Sequence, residues 1–234
     1  MRCETYATGQ GRKEMHSKKE IRENLCAMNL LLVTEGLVKW TSGNVSQLLE
    51  DRSAFYIKPS GVPYSQLTPE QMVLCDLDGN VIEGTLQPSS DTAAHAFIYR
   101  HMPEVGGITH THSQYASAWS AAGKAIPCVL TAMADEFGGE IPIGPFALIG
   151  NDEIGRAVVA TLSTSRSSAV LMAKHGVFAV GTTAEASVKS AVMCEDVAKT
   201  VWLATQLGDL VPISQSDIDY LYNRYHNIYG QKEK

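Results

Sequence analysis

The stretch Gly106-Gly107-Ile108-Thr109-His110-Thr111-His112-Ser113 constrains this chain more than any other. Small and apolar residues lead into a strand-like alternation. Alternate side chains of a strand share a face, so the imidazoles of His110 and His112 project the same way. Two ligands of a metal ion are thereby placed in advance. Zinc and similar ions accept neutral imidazole, take a third nitrogen or oxygen ligand, and keep an open position when they are catalytic. Two histidines alternating on a half-exposed strand would give the same pattern, so the rest of the chain has to supply further ligands.

His175 is the candidate third ligand. It lies in Lys174-His175-Gly176, a tight turn directly after the wholly apolar run Ala169-Val170-Leu171-Met172-Ala173. A polar side chain beside a glycine at a buried strand end suits a binding site as well as it suits a simple turn. Asp91, in Pro88-Ser89-Ser90-Asp91-Thr92, stands at a helix start, where a carboxylate caps the helix and can also serve as a ligand.

Composition narrows the function classes. The 234 residues are 44% hydrophobic and 19% charged, ordinary globular material with enough length for one good-sized core. Residues 17–234 are expected to form a single domain, with residues 1–16 a flexible leader. The net charge of -6, with no run of Lys and Arg longer than a pair, speaks against a nucleic-acid surface, so an anionic ligand has to be held locally. No apolar run approaches the ~20 residues of a membrane span, and residues 1–20 lack the apolar core of a signal peptide. The five cysteines are scattered and form no C-x-x-C pair, which suits reduced, buried thiols in a cytoplasmic protein.

The order of elements is readable from caps and periodicity. Ser17-Lys18-Lys19-Glu20 has capping-box spacing, and Ile21, Leu25, Met28 and Leu32 recur at helical intervals until Gly36. Residues 45–49 and 54–58 read as a hairpin, and residues 72–76 pair with 81–82 around Asp78-Gly79-Asn80. A helix carrying Ala94, Phe97 and Ile98 follows Asp91, and Ser113 opens another. Asn151 caps a helix with Ile154, Val158 and Leu162. Strands 169–173 and 177–180 flank the His175 turn, a long helix spans about 183–207, and residues 214–229 form a last helix ending at Gly230. Trp40, Trp119 and Trp202 read as core or interface anchors. Helices interleaved with hairpins make a layered α/β or α+β domain.

Six motifs in order go further: GNVS at 43–46, KPSG at 58–61, PSSDT at 88–92, GGITHTHS at 106–113, KHG at 174–176 and YGQ at 229–231. Together they resemble the class II aldolase and sugar-phosphate epimerase family, over residues 18 to 231. The resemblance implies a three-layer α/β/α fold, a central and largely antiparallel sheet flanked by helices, and a homotetramer with sites between neighbouring subunits. It implies zinc, or another divalent ion such as manganese or cobalt, held by His110, His112 and His175 with Asp91. An Asp at that position is the pattern of the epimerase branch, which inverts a pentulose phosphate at C4 in pentose catabolism. A Glu there marks aldolases of fuculose phosphate; the alternative activity is an aldolase of a ketose phosphate such as fuculose or rhamnulose 1-phosphate, or another pentulose-phosphate 4-epimerase.

The sugar phosphate is the implied partner. Its phosphate is expected at Gly43, Asn44, Ser60, Gly61, Ser89 and Ser90, with Lys58 adding a full charge. Glycine admits close backbone N–H groups, serine hydroxyls donate, and a helix start adds partial positive charge, although each pair taken alone is also ordinary turn chemistry. The resemblance further implies proton transfer by Asp135 and by Tyr229 from a neighbouring subunit. Without it, Asp135 reads as a loop residue and Tyr229 as part of the terminal helix's apolar face. The chain departs from the family pattern at Met133, where a histidine is usual, after Asp135, between Pro142 and Ile154, which is shorter, and at Asp219. Glu136 is a spare carboxylate beside Asp135. His95, one helical turn past Asp91, reads as structural or as a neighbour of the ligands.

Overall fold

The computed structural model describes residues 17–228. The chain opens with α1 (Lys18–Thr34), and the expected capping box forms: Ser17 Oγ accepts the Glu20 N–H, and Glu20 accepts the Ser17 N–H at 2.7 Å. Strands β1 (Asn44–Leu48), β2 (Ala54–Ile57), β3 (Val73–Asp76) and β4 (Val81–Glu83) follow as an antiparallel meander. Next come α2 (Thr92–His101), β5 (Gly107–Thr111), α3 (Gln114–Ala122) and α4 (Thr131–Phe137). The chain finishes with β6 (Ile143–Gly144), α5 (Glu153–Leu162), β7 (Ala169–Met172), β8 (Gly176–Gly181), α6 (Ala184–Thr205) and α7 (Gln215–Asn227).

The eight strands form one sheet in the order β4-β3-β2-β1-β5-β8-β7-β6. Every pairing is antiparallel except β6 with β7, so the sheet is largely antiparallel as expected. Strand alternation splits the core in two. Val45, Tyr56, Leu74, Leu171, Val177 and Ala179 face α1, α3, α4, α6 and α7, while Phe55, Ile57, Ile108, Val170, Phe178 and Val180 face α2 and α5. This is the three-layer α/β/α arrangement. Each large apolar side chain taken fully out of water contributes about 1.5–3 kcal/mol, so both faces of the sheet are strongly anchored. The central position of β1, β5 and β8 places the GNVS, THTH and KHG motifs side by side, with Asn44 opposite His110 and Thr111 opposite Val177.

Some expectations are corrected. Asp135 lies on α4, not in a loop. The α5 cap position is Asp152, one residue later than expected, although Asn151 Oδ1 still accepts the Glu153 N–H at 2.9 Å. Trp40 is 83% exposed with a φ of 57° and so is no core anchor. The four described cysteines are free and buried, as expected. No described helix is long and apolar enough to cross a membrane. The expected leader, residues 1–16, and Tyr229, Gly230 and Gln231 lie outside the described residues.

Candidate metal centre and phosphate cradle

The structure brings the three candidate imidazoles together. His110 Nε2 and His112 Nε2 stand 2.9 Å apart, and the His175 ring lies 4.8 Å from that of His110 and 5.1 Å from that of His112, centroid to centroid. One ring nitrogen from each falls within 4.8 Å of the others. Strand pairing explains His110 and His112. A backbone contact explains His175: a Cβ at Gly176 would overlap the Thr111 carbonyl oxygen and stand 2.9 Å from the His112 ring, so only glycine lets the turn approach β5 this closely. Ser120 of α3 secures the same turn, its carbonyl accepting the Lys174 N–H at 3.1 Å.

These rings suit a cation. His110 Nδ1 makes a 2.8 Å hydrogen bond with the Val177 carbonyl, so Nδ1 carries the proton and the Nε2 lone pair faces the other rings. Burial, reinforced by the neighbouring rings, pushes His175 down to about 4, and burial with His110 lowers His112 as well. Both are therefore neutral, the ligand-competent form, at ordinary pH. Phe178 stacks on His110 at 4.3 Å and closes its inner side.

Asp91 occupies the N-cap position of α2, yet its side chain caps nothing. Its Oδ2 instead accepts from Asn44 Nδ2 at 2.7 Å and lies 4.0 Å from His110 Nε2, at the margin of the histidine group. Burial alone would raise this carboxyl. The rings of His110 and His95, the Asn44 amide and His175 together outweigh that and hold it below the ordinary range.

The segments expected to bind phosphate converge. Asn44 Nδ2 also reaches Ser89 Oγ at 3.0 Å. The Ser60 N–H donates to the Gln87 carbonyl at 2.9 Å and the Ser89 N–H to the Lys58 carbonyl at 3.1 Å, which sets Ser60-Gly61 beside Ser89-Ser90. Ser60, Gly61 and Ser90 are exposed at the rim. Gly43, at φ +75°, turns the chain into β1 where a Cβ would stand 2.9 Å from the His110 carbonyl. Lys58 is the surprise: it is buried to 1% exposure, its Nζ donating to the Thr41 and Pro59 carbonyls at 3.2 and 3.3 Å and lying over the Tyr64 ring. Burial without an anionic partner pushes it down to about 8.

Asp135 is not brought to the histidines. Its helix packs on α7 and α6, its carbonyl accepts from His226 Nε2 at 3.1 Å, and its Oδ1 is buried without a hydrogen-bond partner among the described residues. Glu136 is not spare: it pairs with Lys189 at 2.7 Å. Met133 is buried in the core and Asp219 pairs with Arg166 at 2.6 Å. His112 lines a cavity of about 600 Å³ together with Gly36, Lys39, Tyr115, Glu195 and Lys199, which opens the cluster to the outside.

Residues 23–202 match the family described as Class II Aldolase and Adducin N-terminal domain. The chain belongs to that family. Within the family, it is 38% identical to L-ribulose-5-phosphate 4-epimerase UlaF of Salmonella paratyphi C (strain RKS4594), over 92% of this chain and 100% of that protein. The protein of the same name from Salmonella typhi is 37% identical over the same shares. Among solved structures, an L-fuculose 1-phosphate aldolase superposes with a TM-score of 0.84 at 24% identity, covering 91% of this chain and 98% of that one. The family fold is thus shared with proteins named for two different reactions.

Sequence reasoning passed over two contributors to this site. Asn29 sits in the middle of α1, where its side chain accepts the Val45 N–H at 2.9 Å and fixes the start of β1. A polar residue on a helix's apolar face was the available signal. Glu195 of α6 accepts the N–H groups of Tyr115 and Ala116 at 2.8 and 2.9 Å, anchoring the start of α3 just after His112.

Proposed function

We propose that this chain is a divalent-cation-dependent epimerase that interconverts L-ribulose 5-phosphate and D-xylulose 5-phosphate in pentose catabolism. The observation that carries the reading is full-length similarity, at 38% identity, to proteins named for that reaction. Asp91, rather than a glutamate, beside three imidazoles supports it.

His110, His112 and His175, with Asp91, are the residues that would hold zinc, manganese or cobalt; the donor set of neutral nitrogens and one carboxylate suits all three. When bound, such an ion supplies Lewis-acid stabilisation of negative charge developing on the substrate's C2 and C3 oxygens.

The carbon to be inverted, C4, bears no acidic hydrogen because the carbonyl is at C2. Direct proton abstraction there is therefore unfavourable, whereas cleavage of C3–C4 and re-addition to the opposite face of the aldehyde inverts it. The phosphate-bearing fragment, glycolaldehyde phosphate, has to stay bound while it turns. Asn44, Ser60, Gly61, Ser89 and Ser90 form the cradle for that phosphate, with the Gly43 turn beside it and Lys58 supplying positive charge from beneath. One group on each face has to hold or move the proton of the C4 oxygen. Asp135 and Tyr229 take these roles: the family resemblance supports Tyr229 from a neighbouring subunit of a homotetramer, and the separation of α4 from the histidines is the reason to assign Asp135 across subunits as well. A neighbouring copy seated over the cavity beside His112 would complete the site and exclude water.

The test is to incubate the zinc-loaded protein with L-ribulose 5-phosphate and follow D-xylulose 5-phosphate and free glycolaldehyde phosphate together. Xylulose phosphate without free aldehyde is the expected result. Free aldehyde as the main product would make the protein an aldolase, and neither product would overturn the substrate assignment.

A further inference from the structure

Lys189 of α6 joins the two segments to which the mechanism above gives proton transfer. Its Nζ donates to the Glu136 carboxylate at 2.7 Å and to the Tyr225 hydroxyl at 3.0 Å. One side chain thereby ties α4 and α7 to α6. Glu136 follows Asp135 directly, and Tyr225 precedes Tyr229 by four residues, about one helical turn.

Two further contacts close the same joint. His226 Nε2 donates to the Asp135 carbonyl at 3.1 Å. Gly138 ends α4 at φ +64°, and a Cβ there would stand 2.8 Å from the Tyr222 ring and 3.0 Å from Arg166, so glycine lets α7 lie this close to the end of α4. Arg166 in turn lies over the Tyr222 ring and pairs with Asp219. The contacts therefore run along α7 from Asp219 to His226 and converge on the turn of α4 that carries Asp135.

Within this joint the Glu136 side chain is only 10% exposed, whereas that of Lys189 is 52% exposed. A carboxylate so far out of water needs a countercharge and a donor beside it, and Lys189 supplies both. Without that ammonium Glu136 would turn toward solvent and pull the last turn of α4 with it, while the Tyr225 hydroxyl would lose its donor. Both segments would loosen together.

We propose that Lys189 is a positioning residue for the reaction: with Glu136 and Tyr225 it locks α4 and the end of α7 into one unit that presents Asp135 and Tyr229 in fixed register. The inference rests on the proton-transfer reading above and concerns turnover rather than cation or substrate affinity. A misplacement of about 1 Å in reacting groups costs up to about 10²-fold in rate.

The test measures kcat, KM and zinc content of the zinc-loaded protein with L-ribulose 5-phosphate, beside hydrogen exchange in peptides covering residues 130–138 and 215–228. Lys189→Met should lower kcat about 10–100-fold, keep wild-type KM and zinc content, and speed exchange at the ends of both helices. Lys189→Arg, which keeps the charge and can reach both acceptors, should restore most of the rate. In an Asp135→Asn background, Lys189→Met should cost clearly less than in the wild type, because one of the groups it aims is already gone. Asp135→Asn alone is the reference. If it turns over as the wild type does, the proton-transfer reading itself falls. If it is slow while Lys189→Met keeps wild-type kcat, only the positioning role falls, and faster exchange in that variant would mark the contact as structural. The full loss repeated in the Asp135→Asn background, or zinc lost along with rate, also overturns the proposal. Should Lys189→Met fail to fold, Tyr225→Phe decides, and wild-type kcat in that variant overturns the proposal.

Discussion

The Ser120 hydroxyl holds the backbone of the turn that presents His175: it accepts the His175 N–H at 3.2 Å and donates to the Met172 carbonyl. Removing it in Ser120→Ala takes one hydrogen bond from each group while the His175 N–H keeps the Met172 carbonyl at 3.0 Å, a cost of about 0.5–1.5 kcal/mol. The expected outcome is a lower urea midpoint together with weaker zinc binding, because the third imidazole loses its support. Wild-type zinc affinity would show that the turn holds itself.

His110→Asn and His112→Asn should each lose bound zinc and activity together, since each exchanges an imidazole of the candidate ligand set for an amide, a much weaker donor to zinc. Metal content by elemental analysis, measured beside epimerase turnover, checks this. Full activity with retained zinc would remove these residues from the ligand set.

Asp135→Asn and Tyr229→Phe should keep zinc and fold while lowering kcat by about 10²–10⁴-fold, the usual share of a positioned proton-transfer group. Because Asp135 sits away from the histidines, mixing inactive Asp135→Asn with inactive His112→Asn protein under subunit exchange should regain part of the activity. No recovery in verified mixed oligomers would place the whole site within one subunit.

Lys58 gives a pH signature. Its pKa in the fold, about 8, lies below the ordinary 10.5, so the unfolded chain holds this proton more tightly. Its contribution to stability therefore rises as pH climbs from about 8 toward 10.5. Phosphate binding runs the other way, since the anion favours the charged lysine. KM for the sugar phosphate should rise as pH passes through about 8, and Lys58→Met should abolish that step while raising KM at lower pH. An unchanged step in the variant would assign it to another group.

Ser89→Ala breaks the contact with Asn44 and removes one candidate phosphate donor. The expected effect is leakage: free glycolaldehyde phosphate should accumulate beside xylulose phosphate, measured in the same reaction. A uniform slowing without free aldehyde would make Ser89 structural.

Local signals in the sequence were enough for most of the frame. The capping box at Ser17, the starts of the last two helices beside Thr183 and Ser214 and the two hairpins are short-range features, and they form where the spacing places them. The three histidines converge because strand alternation and a glycine turn are also local. What stayed hidden depends on residues far apart in the chain. The seven-residue α4 has Leu130 at its N-cap position, which offers no capping side chain, and it is held by packing on α7, so its segment reads as a loop. Glu136 looked spare because Lys189 lies 53 residues away. The buried hydrogen bonds of Ser46 with His95 Nδ1 and the Tyr99 hydroxyl, at 2.7 and 2.6 Å, likewise join a strand to a helix about fifty residues on, which no spacing rule reveals.

The pairing of Thr111 with Val177 has a consequence for how the proposed ion would be acquired. His110 and His112 at the end of one strand, and His175 at the entry to its neighbour, are held in place by backbone hydrogen bonds before any ion arrives. The ordering entropy that a zinc finger recovers from its metal is here met by the sheet. A chelated sample should therefore keep its secondary structure and regain its ion without refolding. Such a preorganised site permits exchange of one divalent ion for another within the folded state, so the metal a cell loads reflects supply as well as affinity.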